Sequence, residues 1–172
     1  VYSPSHSMWS RDLRLTDDAS MERDFSGVFA AGNTLNLVYK KENRETGANN
    51  LHHLTYSLRT DAAVGEDSLS IVPAFPVPGT TASLVCTVDN AGDLPMADVE
   101  VSFYLGDPGA TGQLLGSTTV PNVFAAGEQA TATLDWVVPS DGTFDIYAVV
   151  DSGDVIQEAD ETNNVTSFYA LK

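Results

Sequence analysis

Apolar and polar residues alternate at every second position through most of this chain, and no stretch of useful length shows helical spacing. Over 80–90, Ala82, Leu84, Cys86 and Val88 share one face of a predicted strand. Val99, Val101 and Phe103 repeat the pattern, as do Ala130, Ala132, Leu134 and Trp136, and then Phe144, Ile146, Ala148 and Val150. Shorter runs at 69–75, 114–120 and 165–171 bring the predicted number to about seven strands. The separators carry turn chemistry: Asn90-Ala91-Gly92-Asp93, Gly106-Asp107-Pro108-Gly109, Ala126-Gly127-Glu128 and Pro139-Ser140-Asp141-Gly142. Each supplies a glycine that tolerates positive φ or a side chain that bonds its own backbone. Short strands so spaced predict a two-sheet sandwich of immunoglobulin-like type. Trp136 is its predicted core anchor, because burying such a ring removes ~150–250 Å² from water, at most roughly 4–6 kcal/mol.

The first sixty-one residues are also β-like. Trp9-Ser10 leads through Leu13 and Leu15 into Thr16-Asp17-Asp18, and 25–30 is a short apolar stretch. Gly32-Asn33 signals a hairpin, 34–39 alternates, and a polar loop over 40–50 precedes a last strand at 51–58. Three or four such strands cannot close a core alone. Pro73, Pro76 and Pro78 stiffen 66–78, which is expected to join the two parts.

Charge separates the same two parts. From residue 62 onward sixteen Asp and Glu face Lys172 alone, a balance of −15, whereas residues 1–61 carry −1. Phosphate contacts need clustered Lys and Arg, so nucleic acid is excluded as a partner, and an anionic membrane surface would repel the acidic part. No apolar run approaches the ~18 residues of a membrane span. The acidity favours divalent cations. Apolar content of 42% suffices for a core, and 19% charged residues argue against disorder. Cys86 is the only cysteine, so no internal disulfide forms, and its place among Leu84 and Val88 predicts a buried thiol. An exported chain without disulfides points to a prokaryotic source. Val1 is not an initiator Met and no leader precedes it, so the chain is expected to be a piece of a longer protein.

Enzyme signatures are missing: there is no Gly-x-Ser-x-Gly elbow, Walker loop, dinucleotide fingerprint or zinc spacing. The histidines are His6, His52 and His53, and the adjacent pair on one predicted strand points to opposite faces. The sharpest constellation is Asp151, Asp154, Glu158, Asp160, Glu161, Asn163 and Asn164. Carboxylate and amide oxygens gathered on a turn suit Ca²⁺, which takes six to eight oxygen ligands. Asp151, Asp154, Glu158, Asp160 and Asn163 are therefore the candidate metal ligands. An EF-hand is excluded, because Gly153 falls where a ligand is required and Thr162 stands at the twelfth position. The alternative is that Asn163 and Asn164 pin the turn while the acids are solvated. Asn164-Val165-Thr166 also matches an N-glycosylation acceptor.

Several of these residues stand in a familiar order. Val88-Asp89-Asn90-Ala91-Gly92 is followed by the run from Asp98 to Tyr104, by Trp136 with Pro139, and by Ile146 through Asp151. Ile156, Glu158, Glu161, Asn163 and Asn164 close the series. Over about 69–172 this resembles the CARDB domain, the cell adhesion related domain found in bacteria. The resemblance implies a seven-stranded immunoglobulin-like sandwich serving as spacer or adhesive module in secreted or surface proteins. Residues 1–61 resemble the last blade of a sialidase-type β-propeller, though Ser3, Ser5 and Ser7 stand without the Asp and Gly of an Asp-box. The expectation is an all-β chain: a blade-like sheet segment over 1–66, then a CARDB-like sandwich over 67–172. It is expected to be non-catalytic, extracellular, and partnered by protein, either other domains of the same protein or a surface assembly, with carbohydrate as an alternative ligand. Two rival readings are the accessory region of a secreted hydrolase whose active site lies upstream, and a repeating subunit of a surface layer or filament.

Overall fold

The computed structural model describes residues 2–3, 8–9, 21–43, 45–122, 124–139 and 144–170 of the chain. The described elements are all strands, and no helix among them is long and apolar enough to cross a membrane. The chain forms two compact units, one of Asp12–Arg59 and one of Thr60–Lys172 with Val1–Arg11. In the latter, β1 (Tyr2–Ser3) pairs with β2 (Met8–Trp9). His6, 10–18 and the expected turn at 140–142 lie outside the described residues.

The smaller unit is an antiparallel meander of β3 (Met21–Ala30), β4 (Thr34–Glu42) and β5 (Asn49–Ser57). Its first hairpin turns through Gly32 and Asn33, both at positive φ (73° and 55°), as the Gly-Asn signal requires. Leu35 opposes Phe29 and Tyr56, and Leu37 opposes Gly27 and Leu54, so one face is apolar. The buried Tyr39 ring stacks between Phe25 at 5.8 Å and His52 at 5.5 Å. His53 takes the other face, its Nε2 lying 3.2 Å from Asn36 Oδ1, so the two histidines diverge as the strand period demands.

The sandwich comprises β6 (Ala62–Ala63), β7 (Leu69–Val72), β8 (Thr81–Asn90), β9 (Glu100–Leu105), β10 (Gln113–Thr119), β11 (Gln129–Val137), β12 (Phe144–Val150) and β13 (Val165–Ala170). One sheet runs β10-β9-β12-β13; the other runs β11-β8-β6, with β7 also on β8, and all pairings are antiparallel. The alternating residues face inward as expected: Leu84, Cys86, Val88, Val101, Phe103, Ile146, Ala148 and Val150 are buried in one core. Trp136 meets Phe144 edge to face at 5.5 Å within it. Burial pushes the Cys86 thiol up to about 12, which leaves it protonated and inert at neutral pH. At the β10 bulge between Leu114 and Gly116, a Cβ on Gly116 would stand 3.2 Å from both Leu134 methyls, so a side chain there would displace Leu134 by a few tenths of an ångström.

The prolines of 66–78 do not join the two units. Ala62 and Ala63 already pair with Asn90 and Asp89, which places Pro73, Pro76 and Pro78 in the loop between β7 and β8, inside the sandwich. Proline suits that loop because it needs no ladder N–H there.

Within 60–170 the first paired segment lies at one end of the sandwich and the last strand finishes at the other. Ala62 lies beside the C-terminal end of β8, whereas β13 finishes with Ala170 opposite Phe144, whose ring meets Trp136 near the start of β8. β8 and β11 stay paired over nine residues, so the two ends are roughly 30 Å apart at ~3.4 Å per residue.

Candidate functional site

The segment 151–164 connects β12 to β13 at the incoming end of the sandwich. Asp151 opens it with φ at 46°, its N–H donating to Glu100 O at 2.9 Å. Aspartate tolerates this left-handed conformation better than most residues. Its carboxylate then accepts the N–H groups of Val155 (3.2 Å) and Ile156 (2.7 Å), which folds the segment back. Asp160 Oδ1 accepts from both the N–H (2.9 Å) and the Oγ1 (2.6 Å) of Thr162. Those bonds favour the ionised form and hold its carboxyl below the usual range. Glu161 Oε1 accepts the Glu158 N–H at 3.2 Å. Asp154, also at positive φ (50°), is exposed.

Glu158, Asn163 and Asn164 face a second partner, the incoming segment ahead of β7. Glu158 Oε1 accepts the Ala62 N–H at 2.6 Å, and its Oε2 accepts Asn164 Nδ2 at 2.5 Å. Asn163 Nδ2 donates to Asp61 Oδ1 at 3.0 Å, and its carbonyl accepts the Val64 N–H at 2.9 Å. Thr60 Oγ1 donates to Gln157 O at 2.7 Å, while Thr60 O accepts the Ala159 N–H at 2.9 Å. Thr166 Oγ1 closes the series on Gly65 O at 2.7 Å. The acidic turn is a clasp on the incoming chain. Burial pushes the Glu158 carboxyl up, opposed by its two N–H donors and reinforced by the nearby charges of Glu161 and Asp151.

Among the candidate ligands, Glu158 and Asn163 meet the incoming segment, whereas Asp151 and Asp160 cap their own turns and Asp154 faces solvent. Among the described residues no three His, Cys, Asp or Glu side chains group so as to hold a metal ion. The glycosylation acceptor is corrected: Asn164 is buried, its Nδ2 is committed to Glu158, and Thr166 Oγ1 is committed to Gly65. An oligosaccharide cannot reach that amide in the folded chain.

Sequence reasoning missed the other half of the clasp, Thr60 to Gly65, where an alanine pair and isolated polar residues show no period. It also missed Ser102, buried on β9, whose Oγ meets Ser117 Oγ (2.8 Å), Ser152 Oγ (3.0 Å) and Glu100 Oε1 (3.2 Å). This hydroxyl network fastens the start of the acidic turn to the sheet.

Two antiparallel sheets with this closing turn define an immunoglobulin-like β-sandwich module. The chain belongs to the CARDB family, whose model matches residues 59–168 and so takes in both halves of the clasp. Among solved structures, the chain is similar to the CARDB domain of the PF1109 protein from Pyrococcus furiosus, determined in complex with di-metal ions. That likeness has 24% identity and a TM-score of 0.50, covering 65% of this chain and 87% of the other. It is also similar to GmR58A from Geobacter metallireducens, at 25% identity and a TM-score of 0.49, covering 61% of this chain and 93% of that one. A domain of a putative cell surface protein from Methanosarcina acetivorans shares 20% identity at a TM-score of 0.48, covering 66% and 91%. No curated protein matches.

Proposed function

We propose that the sandwich is a non-catalytic spacer displayed outside a prokaryotic cell, holding other domains of a longer protein, or the members of a surface assembly, apart. One observation carries this reading: the segment from Thr60 pairs at one end of the sandwich and β13 finishes at the opposite end, with the incoming segment locked by the acidic turn. A module so threaded adds its own length to whatever it joins. The −15 balance from residue 62 onward supports it, since like-charged sandwiches resist lateral collapse onto one another. An antibody against the sandwich is expected to label intact source cells, and external protease should remove the epitope. Recovery of the epitope only after lysis would contradict the proposal.

A bound Ca²⁺ is the second reading, and a specific observation favours it: Asn163 Oδ1 and Asn164 Oδ1 are buried without a hydrogen-bond partner. Amide oxygens of this kind suit a hard cation. With a dissociation constant of ~10⁻⁴ to 10⁻³ M, calcium at ten times that value adds about 1.4 kcal/mol of stability. Sodium chloride at matched ionic strength isolates simple screening. On this reading calcium stabilises more than sodium, and Asp151→Asn with Glu158→Gln removes the difference. Equal stabilisation by the two salts leaves these residues as turn pins alone.

A further inference from the structure

We infer that the clasp is a mechanical clamp, built to resist tension applied along the sandwich between its incoming and outgoing ends. Thr60 and Glu158 form a parallel bridge, and the bonds run onward from it along both segments, from Thr60 with Gln157 and Ala159 and Ala62 with Glu158 to Val64 with Asn163 and Gly65 with Thr166, while the Asp61–Asn163 side-chain pair crosses that order. The incoming segment thus runs in the same direction as 157–166, and β13 carries that direction to the far end. Tension drawing the two ends apart slides one parallel segment past the other. Every bond of the set then lies across the pull and is loaded at once, including Asn163 Nδ2 to Asp61 Oδ1. Tension applied at the incoming end alone peels the same bonds one after another. Each is individually weak in water, so simultaneous loading is what makes the set strong.

Three of these contacts are side chain to backbone, two are backbone to backbone and one joins two side chains. A plain strand pair would need none of the side chains. The acids and amides of the turn extend the fastening beyond the two residues of β6, which is too short to hold the incoming chain by its own ladder. The inference deepens the spacer reading, and the two can fail separately: surface labelling reports on display, whereas direction dependence of force reports on the clamp.

Force spectroscopy on the full chain tests it. Cysteine handles at Ser57→Cys and Lys172→Cys load the sandwich lengthwise, and handles at Ser57→Cys and Asn122→Cys load the incoming end. The Cys86 thiol stays unlabelled because it is fully buried in the core. Lengthwise unfolding releases roughly 40 nm of chain at ~3.6 Å per residue, which identifies the event. The lengthwise rupture force is expected to exceed the force at the incoming end by about twofold or more, as six bonds must fail together. Thr60→Val with Thr166→Val, which removes two of the six at nearly constant shape, should lower the lengthwise force toward the other. A variant that merely destabilises the sandwich lowers both in proportion. Equal forces in the two directions for the unmodified clasp, or a proportional fall in the variant, overturns the clamp; the first comparison stands even if the variant does not fold.

Discussion

Trp136→Ala is expected to cost ~3–5 kcal/mol, the range for deleting a buried aromatic. The ring is 8% exposed, lies at the end of β11 and meets Phe144 edge to face, so its loss opens the core where both sheets converge. Against a total stability of ~5–15 kcal/mol, a change of that size brings the fold near its limit. Urea denaturation followed by circular dichroism measures it, as a shift in midpoint at unchanged slope. A loss under ~1 kcal/mol would place the ring outside the core and contradict the inward register of β11.

Asn90→Ala is expected to cost ~2–4 kcal/mol for a different reason, since each buried polar group left unpaired costs ~1–3 kcal/mol. Asn90 is 1% exposed, and its Nδ2 donates to Leu94 O (2.8 Å) and Phe124 O (3.2 Å). Its Oδ1 accepts the Gly92 N–H at 3.2 Å. Phe124 O keeps a second donor in Met96 N–H, but Leu94 O and Gly92 N–H lose their side-chain partner. The same denaturation experiment reads the cost, and a change within ~0.5 kcal/mol would mean that Asn90 is an ordinary turn residue.

These two residues also show what the sequence made legible. Trp136 and its alternating neighbours declared a buried face because strand periodicity is local, and local order is what one chain displays. Asn90-Ala91-Gly92 declared a turn by the same locality, but not that the Asn90 side chain reaches across to Phe124. The clasp was hidden for a stronger form of that reason. Asp61 and Asn163 are 102 residues apart, as Thr60 and Gln157 are 97 apart, and no period links such partners. Abundance hid the rest: with acids throughout the segment, nothing in the sequence separates Glu158, which reaches Ala62, from Asp154, which faces solvent. The sequence marked Asn163 and Asn164 as a polar turn pair, but not that their Nδ2 groups bond the side chains of Asp61 and Glu158 rather than the backbone of the turn. Ala62–Ala63 was missed because two residues cannot display a period of two.

Amide hydrogen exchange tests the clasp most directly. In the unmodified chain the N–H groups of Ala62, Val64 and Ala159, which donate to Glu158 Oε1, Asn163 O and Thr60 O, are expected to be protected alongside those of the core strands. Glu158→Ala should release these three while Leu84 on β8 and Ala148 on β12 keep their protection. Unprotected amides at 62, 64 and 159 in the unmodified chain, or full protection there in Glu158→Ala, would contradict the acidic turn as the lock on the incoming chain.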